Sequence, residues 1–310
     1  MRSGPFSIGC DHHFFEMKHE ALTTSQVANI VFNVVLCFTA IGLNSITIHA
    51  IRKTSSRWLP KPLKALLLSL AVSDIGVGLL NHPLYITRLV IELKQDVTTF
   101  ATFYWVYLFV SSVFSYASFF GVLSLSLDRF LAIHVHLRYQ ELMTFKRVVA
   151  AVISIWLLSA FLTLIWPRIP RNIAYVVFVI IVGTSFIASG VLNWKIYVTV
   201  RRHARQIQSL MVQSVAQVNA PDMANVSRLR KSAFITIYVY IVFLVCYLPN
   251  FCMIFVISAG PSVAVKVVKC YTVTLLLLNS SLNPLIYCLK MRHIRQTIMN
   301  IVLKAFSSRI

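Results

Sequence analysis

Seven apolar runs follow one another along the chain, near 25–51, 62–87, 100–133, 147–166, 173–200, 230–258 and 266–289. A helix needs about 20 apolar residues to cross the roughly 30 Å of a bilayer's hydrocarbon. Each run is that long or longer, and the stretches between them are too short to hold a soluble domain. Composition agrees. Charged residues make up 12% of the chain, against about 25% in an ordinary soluble domain, which leaves too little polar surface to keep such a chain in water. The expected fold is therefore all-α, a seven-transmembrane helix bundle spanning 25–289.

The net charge of +20 raises nucleic acid as a partner, and its distribution argues against one. Arg2, Lys18, Arg88, Lys94, Arg168, Arg171, Lys266 and Lys269 lie on one side of the spans, and the remaining Lys and Arg lie on the other. Short loops rich in Lys and Arg stay in the cytoplasm. The expectation is an extracellular amino-terminal segment, 1–24, and a cytoplasmic segment, 290–310, with the basic face also attracting anionic membrane lipid. The first 24 residues lack the basic and apolar regions of a cleavable signal peptide, so the first span is expected to direct its own insertion.

Asp74, Asp128 and Arg129 are ionised side chains that lie clearly within or at the end of a span. A charge at the bilayer centre costs at least about 2.5–3.5 kcal/mol and usually faces the bundle interior. Asp74 alone also has a plainer reading, a structural polar contact between helices, but its neighbours form a pattern. Asp74, Asn81, Tyr85 and Arg88 follow helical spacing in the second span. So do Ser111, Ser115, Ser118 and Arg129 in the third, and Asn279, Ser280, Asn283 and Tyr287 in the seventh. Polar stripes on three helices avoid lipid only by facing one another across a wet interior. Such an interior suits a small cation beside Asp74. Pro249 and Pro284 lie inside spans, where each removes a backbone donor and bends its helix.

Six local patterns occur in order in the matching spans: "GLNSI" with Asn44, "LAVSD" with Asp74, "SLDRF" from Ser126, Trp156, "CYLP" from Cys246 and "NPLIY" from Asn283. With these the chain resembles the rhodopsin-like (class A) G-protein-coupled receptors along essentially its full length. The resemblance implies that Arg129 pairs with Asp128 at rest and swings towards a heterotrimeric G protein on activation. Tyr197 and Tyr287 match the two tyrosines that meet near that arginine in the active arrangement. The implied switch also includes Phe130, Phe243, Tyr247, Pro249, Asn283 and Pro284. A sodium pocket is implied at Asp74, Ser118, Asn279, Ser280 and Asn283, with no covalent cofactor and no enzymatic activity.

The departures from the family pattern carry expectations of their own. Phe130 stands for a tyrosine and Tyr247 for the tryptophan of the sixth-helix switch. Leu229 stands where some relatives place an acid at the foot of the sixth helix, so basal signalling is expected to be raised. The third-helix position of the family's disulfide is Tyr104, and the loop "WPRIPRN" has no cysteine. Cys10 and Cys270 are the two cysteines expected outside, where disulfides persist; they either bridge or remain free thiols. The missing bridge and short outer loop resemble the melanocortin receptors. "HLRYQELMTFKRV" is more similar to the second inner loop of adenosine receptors. After Tyr287, Ile294, Ile298, Ile301, Val302 and Phe306 share one face opposite basic residues, as an eighth helix lying on the inner membrane surface would.

The ligand pocket implied by the resemblance opens outward, lined by Tyr107, Ser111, Ser112, Ser115, Tyr247, Asn250, Phe251, Ile254 and Val273. Its occupant is an extracellular small molecule, lipid or peptide. Ser111 replaces the aspartate of amine receptors, and Leu277 the Schiff-base lysine of opsins. Arg88, Arg168, Arg171, Lys266 and Lys269 ring the outer mouth, offset in part by Glu92 and Asp96; they either attract an anion or form a solvated rim. A transporter or ion channel using the interior around Asp74 is the alternative class. It would show internal repeats or paired broken helices, and the chain has no evident self-similarity.

Overall fold

In a computed structural model of the chain, residues 6–55, 59–135, 138–213, 220–260, 262–291 and 294–300 are described. The apolar runs form α1, Phe6–Lys53; α2, Lys61–Leu93; α3, Val97–His134; α4, Phe145–Ile165; α5, Arg171–Gln213; α6, Ala220–Ala259; and α7, Val263–Lys290. All seven are long and apolar enough to cross a membrane, and no strand occurs among the described residues. Residues 294–300 form a further helical segment, α8. α1 begins well inside the polar 1–24 segment, which is therefore helical from Phe6 onward.

Local chemistry sets the helix ends. At the start of α3 the Asp96 carboxylate accepts the Thr99 hydroxyl (2.6 Å), the Thr99 backbone N–H (3.0 Å) and the Thr98 hydroxyl (2.8 Å). These bonds to the charged form hold its carboxyl well below the usual carboxylate range, at about 2. Thr144 caps α4 and Ser262 caps α7 in the same way, accepting the N–H of Arg147 and Val265. Within α2, Pro83 has no N–H to give the carbonyl one turn back. The five residues just ahead of His82, Val77–Asn81, widen into a π-helical turn, a recognised way to absorb such a gap.

α3 is the central rod, touching α2, α4, α5 and α6, while α1 closes the bundle against α2 and α7. Small residues allow the close approaches that membrane helices use. A Cβ at Gly78 on α2 would stand 2.7 Å from Ile41 Cγ1 and 3.3 Å from the Cys37 carbonyl on α1. The shared core runs from Leu63, Leu67 and Leu70 through Phe119, Val122 and Leu125 to Val239, Phe243 and Tyr287. Outward-facing side chains are large and apolar, among them Phe38, Leu157, Ile187, Trp194 and Leu289, as a lipid-facing surface requires. On α8, Ile294 is fully buried and Ile298 packs on the core beside it. Ile301, Val302 and Phe306 lie outside the described residues.

Candidate functional site

The three polar stripes face inward. Asp74, Asn81, Tyr85 and Arg88 on α2, Ser118 and Arg129 on α3, and Asn279, Ser280, Asn283 and Tyr287 on α7 are all buried; Ser111, Ser112 and Ser115 are half-buried. Asn283 donates to Asp74 Oδ2 at 2.9 Å. Asn44 on α1 ties the group from behind, donating to the Ser280 carbonyl at 2.8 Å. Around Asp74, three buried oxygens, Asp74 Oδ1, Asn279 Oδ1 and Asn283 Oδ1, have no donor among the described residues. Orphaned acceptors in a buried site are costly. Oxygens grouped beside a carboxylate are the kind of donor set that a small hard cation takes.

At the carboxyl-terminal end of α3, Arg129 Nε donates to Asp128 Oδ2 at 2.8 Å, and its Nη2 meets the same oxygen. Tyr139, on a single helical turn Tyr139–Leu142 after α3, completes the cluster. Its hydroxyl donates to Asp128 Oδ1 at 2.7 Å and accepts Arg129 Nη2 at 3.3 Å; burial pushes that hydroxyl above its ordinary range. Phe130 turns the other way, stacking on His134 at 4.0 Å. The Tyr197 hydroxyl accepts Arg201 Nη1 at 3.2 Å, and the Tyr287 hydroxyl has no partner among the described residues. The two tyrosines are thus not bonded to each other.

On the amino-terminal side of Arg129 along α3 lies an aromatic cluster. Phe243 and Tyr247 on α6 stack at 4.3 Å, and Phe119 on α3 meets both edge-on at 5.1 Å. Phe186 on α5 meets Phe119 at the same distance. Above it opens a cavity of about 860 Å³. Of the residues expected to line it, Tyr107, Ser111, Ser112, Ser115, Asn250, Ile254 and Val273 do. Tyr247 and Phe251 do not: Tyr247 is sealed in the aromatic cluster, and Phe251 lies between Phe186 and Phe255 at 5.8 and 5.5 Å. Asn250 and Ile254, four residues apart, hold the inward face of α6, which rotates Phe251 towards α5. A second cavity of about 520 Å³ lies between α1, α2, α3 and α7 at the end of the bundle that holds Arg88, sharing Arg88, Tyr104, Lys269 and Val273 with the first.

The model of the "7 transmembrane receptor (rhodopsin family)" matches residues 43–169 and 163–287. The chain belongs to the rhodopsin family of seven-transmembrane receptors. Rat (Rattus norvegicus) melanocortin receptor 3 is 25% identical over 86% of this chain and 84% of its own length. Chicken (Gallus gallus) adenosine receptor A2b is 32% identical over 44% of this chain, a stretch that spans 38% of that receptor. The human (Homo sapiens) histamine H1 receptor is 32% identical over 40% of this chain and 24% of its own length.

Set against the rhodopsin-family pattern, several contacts escape motif reading. Tyr139 lies within a quoted stretch, but nothing in the stretch shows that it folds back on Asp128. Phe119 follows Ser118 on the polar stripe, and that adjacency alone marks it for notice. Asn29, Asn33, His82 and Thr274 form a buried polar network joining α1, α2 and α7, and the run of Asn29 and Asn33 in an apolar span is its only trace. Cys270 is a buried free thiol whose backbone carbonyl accepts the Tyr85 hydroxyl at 3.0 Å; the Cys10 side chain lies outside the described residues. The Leu229 and Arg171 side chains are outside them too.

Proposed function

We propose that this rhodopsin-family receptor binds an extracellular ligand in the 860 Å³ cavity and activates a heterotrimeric G protein at its inner face. The observation that carries the reading is the course of α6. One helix presents Asn250 and Ile254 to the cavity and, a turn or two further in, Tyr247 and Phe243 to Phe119 of α3. Pro249 stands between the two groups, at a point where the backbone ladder lacks a bond and bends easily. A ligand pressing on Asn250 or Ile254 shifts that aromatic stack, and α3 carries the shift towards Arg129.

Sodium belongs to the same reading. Bound between Asp74, Ser118, Asn279, Ser280 and Asn283, it would satisfy the orphaned oxygens and hold α2, α3 and α7 in the inactive packing. The receptor sits in the plasma membrane with its amino terminus outside and its carboxyl terminus in the cytoplasm, which puts the cavity outward and Arg129 inward.

Guanine-nucleotide exchange tests the proposal. The receptor in lipid nanodiscs is mixed in turn with purified G proteins of each class. Exchange above empty nanodiscs with at least one class, lost on Arg129→Ala, is the expected result. Exchange indifferent to Arg129 would remove the coupling role given to that residue.

A further inference from the structure

We propose that the outer cavity takes an amphiphilic monocarboxylate, its anionic head held by Lys269 and Arg88 and its apolar body lying against the α3–α5–α6 wall. The inference rests on the cavity being the ligand site, and it adds the chemical class. Arg88 and Lys269 are the charged residues lining the larger cavity, and no acid lines it. The rest of the wall is largely aromatic and aliphatic: Trp105, Phe178, Ile254, Leu276 and Leu277 stand on it.

Two carboxylates are near enough to neutralise the cations, and both are already engaged. Glu92 accepts Arg88 through Oε1, at 2.7 and 3.1 Å, and Gln26 through Oε2, at 3.2 Å. Asp96 is spent on the cap of α3. Lys269 feels the charges of Arg88 and Glu92, yet its ammonium has no hydrogen bond or ion pair among the described residues. Lys266 is exposed and solvated, whereas Lys269 is half-buried, where water screens it less. Burying an unpaired charge is costly.

Counting Arg88, Lys269 and Glu92 leaves one positive charge at the junction of the two cavities. That residue of charge matches a monoanion, and a dianion would overshoot it. The guanidinium of Arg88 lies over the rings of Tyr107, at 5.2 Å, and Tyr104, at 5.9 Å, so it stays fixed as a planar donor for a carboxylate. A cavity of this volume takes a ligand of drug size. An amine finds no counter-ion in it.

Binding is read directly, without G protein, as the ligand-dependent rise in melting temperature of the receptor in nanodiscs. The probes are oleate and 3-phenylpropionate, an acyl and an aryl carboxylate, each paired with its primary amide. At least one acid is expected to raise the melting temperature saturably while its amide does not; which acid acts distinguishes a lipid source from an aryl-acid source. Lys269→Gln is expected to weaken that acid about tenfold, as loss of one partner of a shielded charge pair does, with Lys269→Arg largely restoring it. Glu92→Gln, which adds a net positive charge, is expected to tighten it.

Equal effects of acid and amide, indifference to K269Q in a variant that melts like the parent, or no shift with either acid would each overturn the proposal. Nucleotide exchange without any acid binding would leave the coupling reading standing and remove this one. Acid binding without exchange would do the reverse.

Discussion

Tyr139 completes the restraint on Arg129, because it gives Asp128 a second donor and Arg129 an acceptor in one hydroxyl. Hydrogen bonds to charged groups contribute about 1.5–3 kcal/mol, and the partial exposure of this loop favours the low end. Tyr139→Phe is therefore expected to raise ligand-free nucleotide exchange severalfold, towards tenfold for a loss of about 1.4 kcal/mol, without lowering expression. Unchanged basal exchange would mean that Asp128 alone restrains Arg129. Asp74 gives a second test at this scale. Replacing choline chloride with sodium chloride is expected to raise the melting temperature of the parent receptor, and Asp74→Asn to abolish that rise. A sodium effect that survives D74N would place the ion elsewhere.

At the scale of the element, the ends and close approaches of the helices decide stability. The Asp96 cap has a carboxyl held at about 2, below the value near 3.9 of an unfolded aspartate. A depressed acid contributes stability that is present above the unfolded value and is lost as pH falls through the folded one. Asp96→Asn should thus lower the melting temperature at neutral pH, and the gap to the parent should close as the buffer approaches pH 2. A gap independent of pH would show that the amide caps α3 as well as the carboxylate does and that the difference arises elsewhere. Gly78 tests the α1–α2 contact. The added methyl of Gly78→Ala meets Ile41 and the Cys37 carbonyl, and overpacking of this kind costs about 1–3 kcal/mol. A melting temperature equal to the parent's would show that α1 simply moves aside.

For the whole molecule the decisive property is direction across the membrane. The basic residues gather on one side of the seven spans, and that asymmetry sets orientation during insertion. An epitope tag before Met1 is expected to be labelled on intact cells, and one after Ile310 only after permeabilisation. The reverse pattern would turn the outer cavity towards the cytoplasm and end its reading as a ligand site.

Hydropathy and spacing by themselves determined the seven spans, the inward stripes of α2, α3 and α7, and the ordered motifs around Asp74, Arg129 and Pro284. Those features are local: bilayer thickness fixes the length of a run, and the helical repeat fixes which residues share a face. The Arg88–Glu92 pair is legible in the same way, being four residues apart. Only the packed bundle decided that Tyr139 returns to Asp128, that Phe119 lies between Phe186, Phe243 and Tyr247, and that Phe251 leaves the cavity while Ile254 enters it. Such contacts depend on the rotation and translation of one helix against another, which the fit of many small side-chain surfaces sets together and no single stretch of sequence encodes.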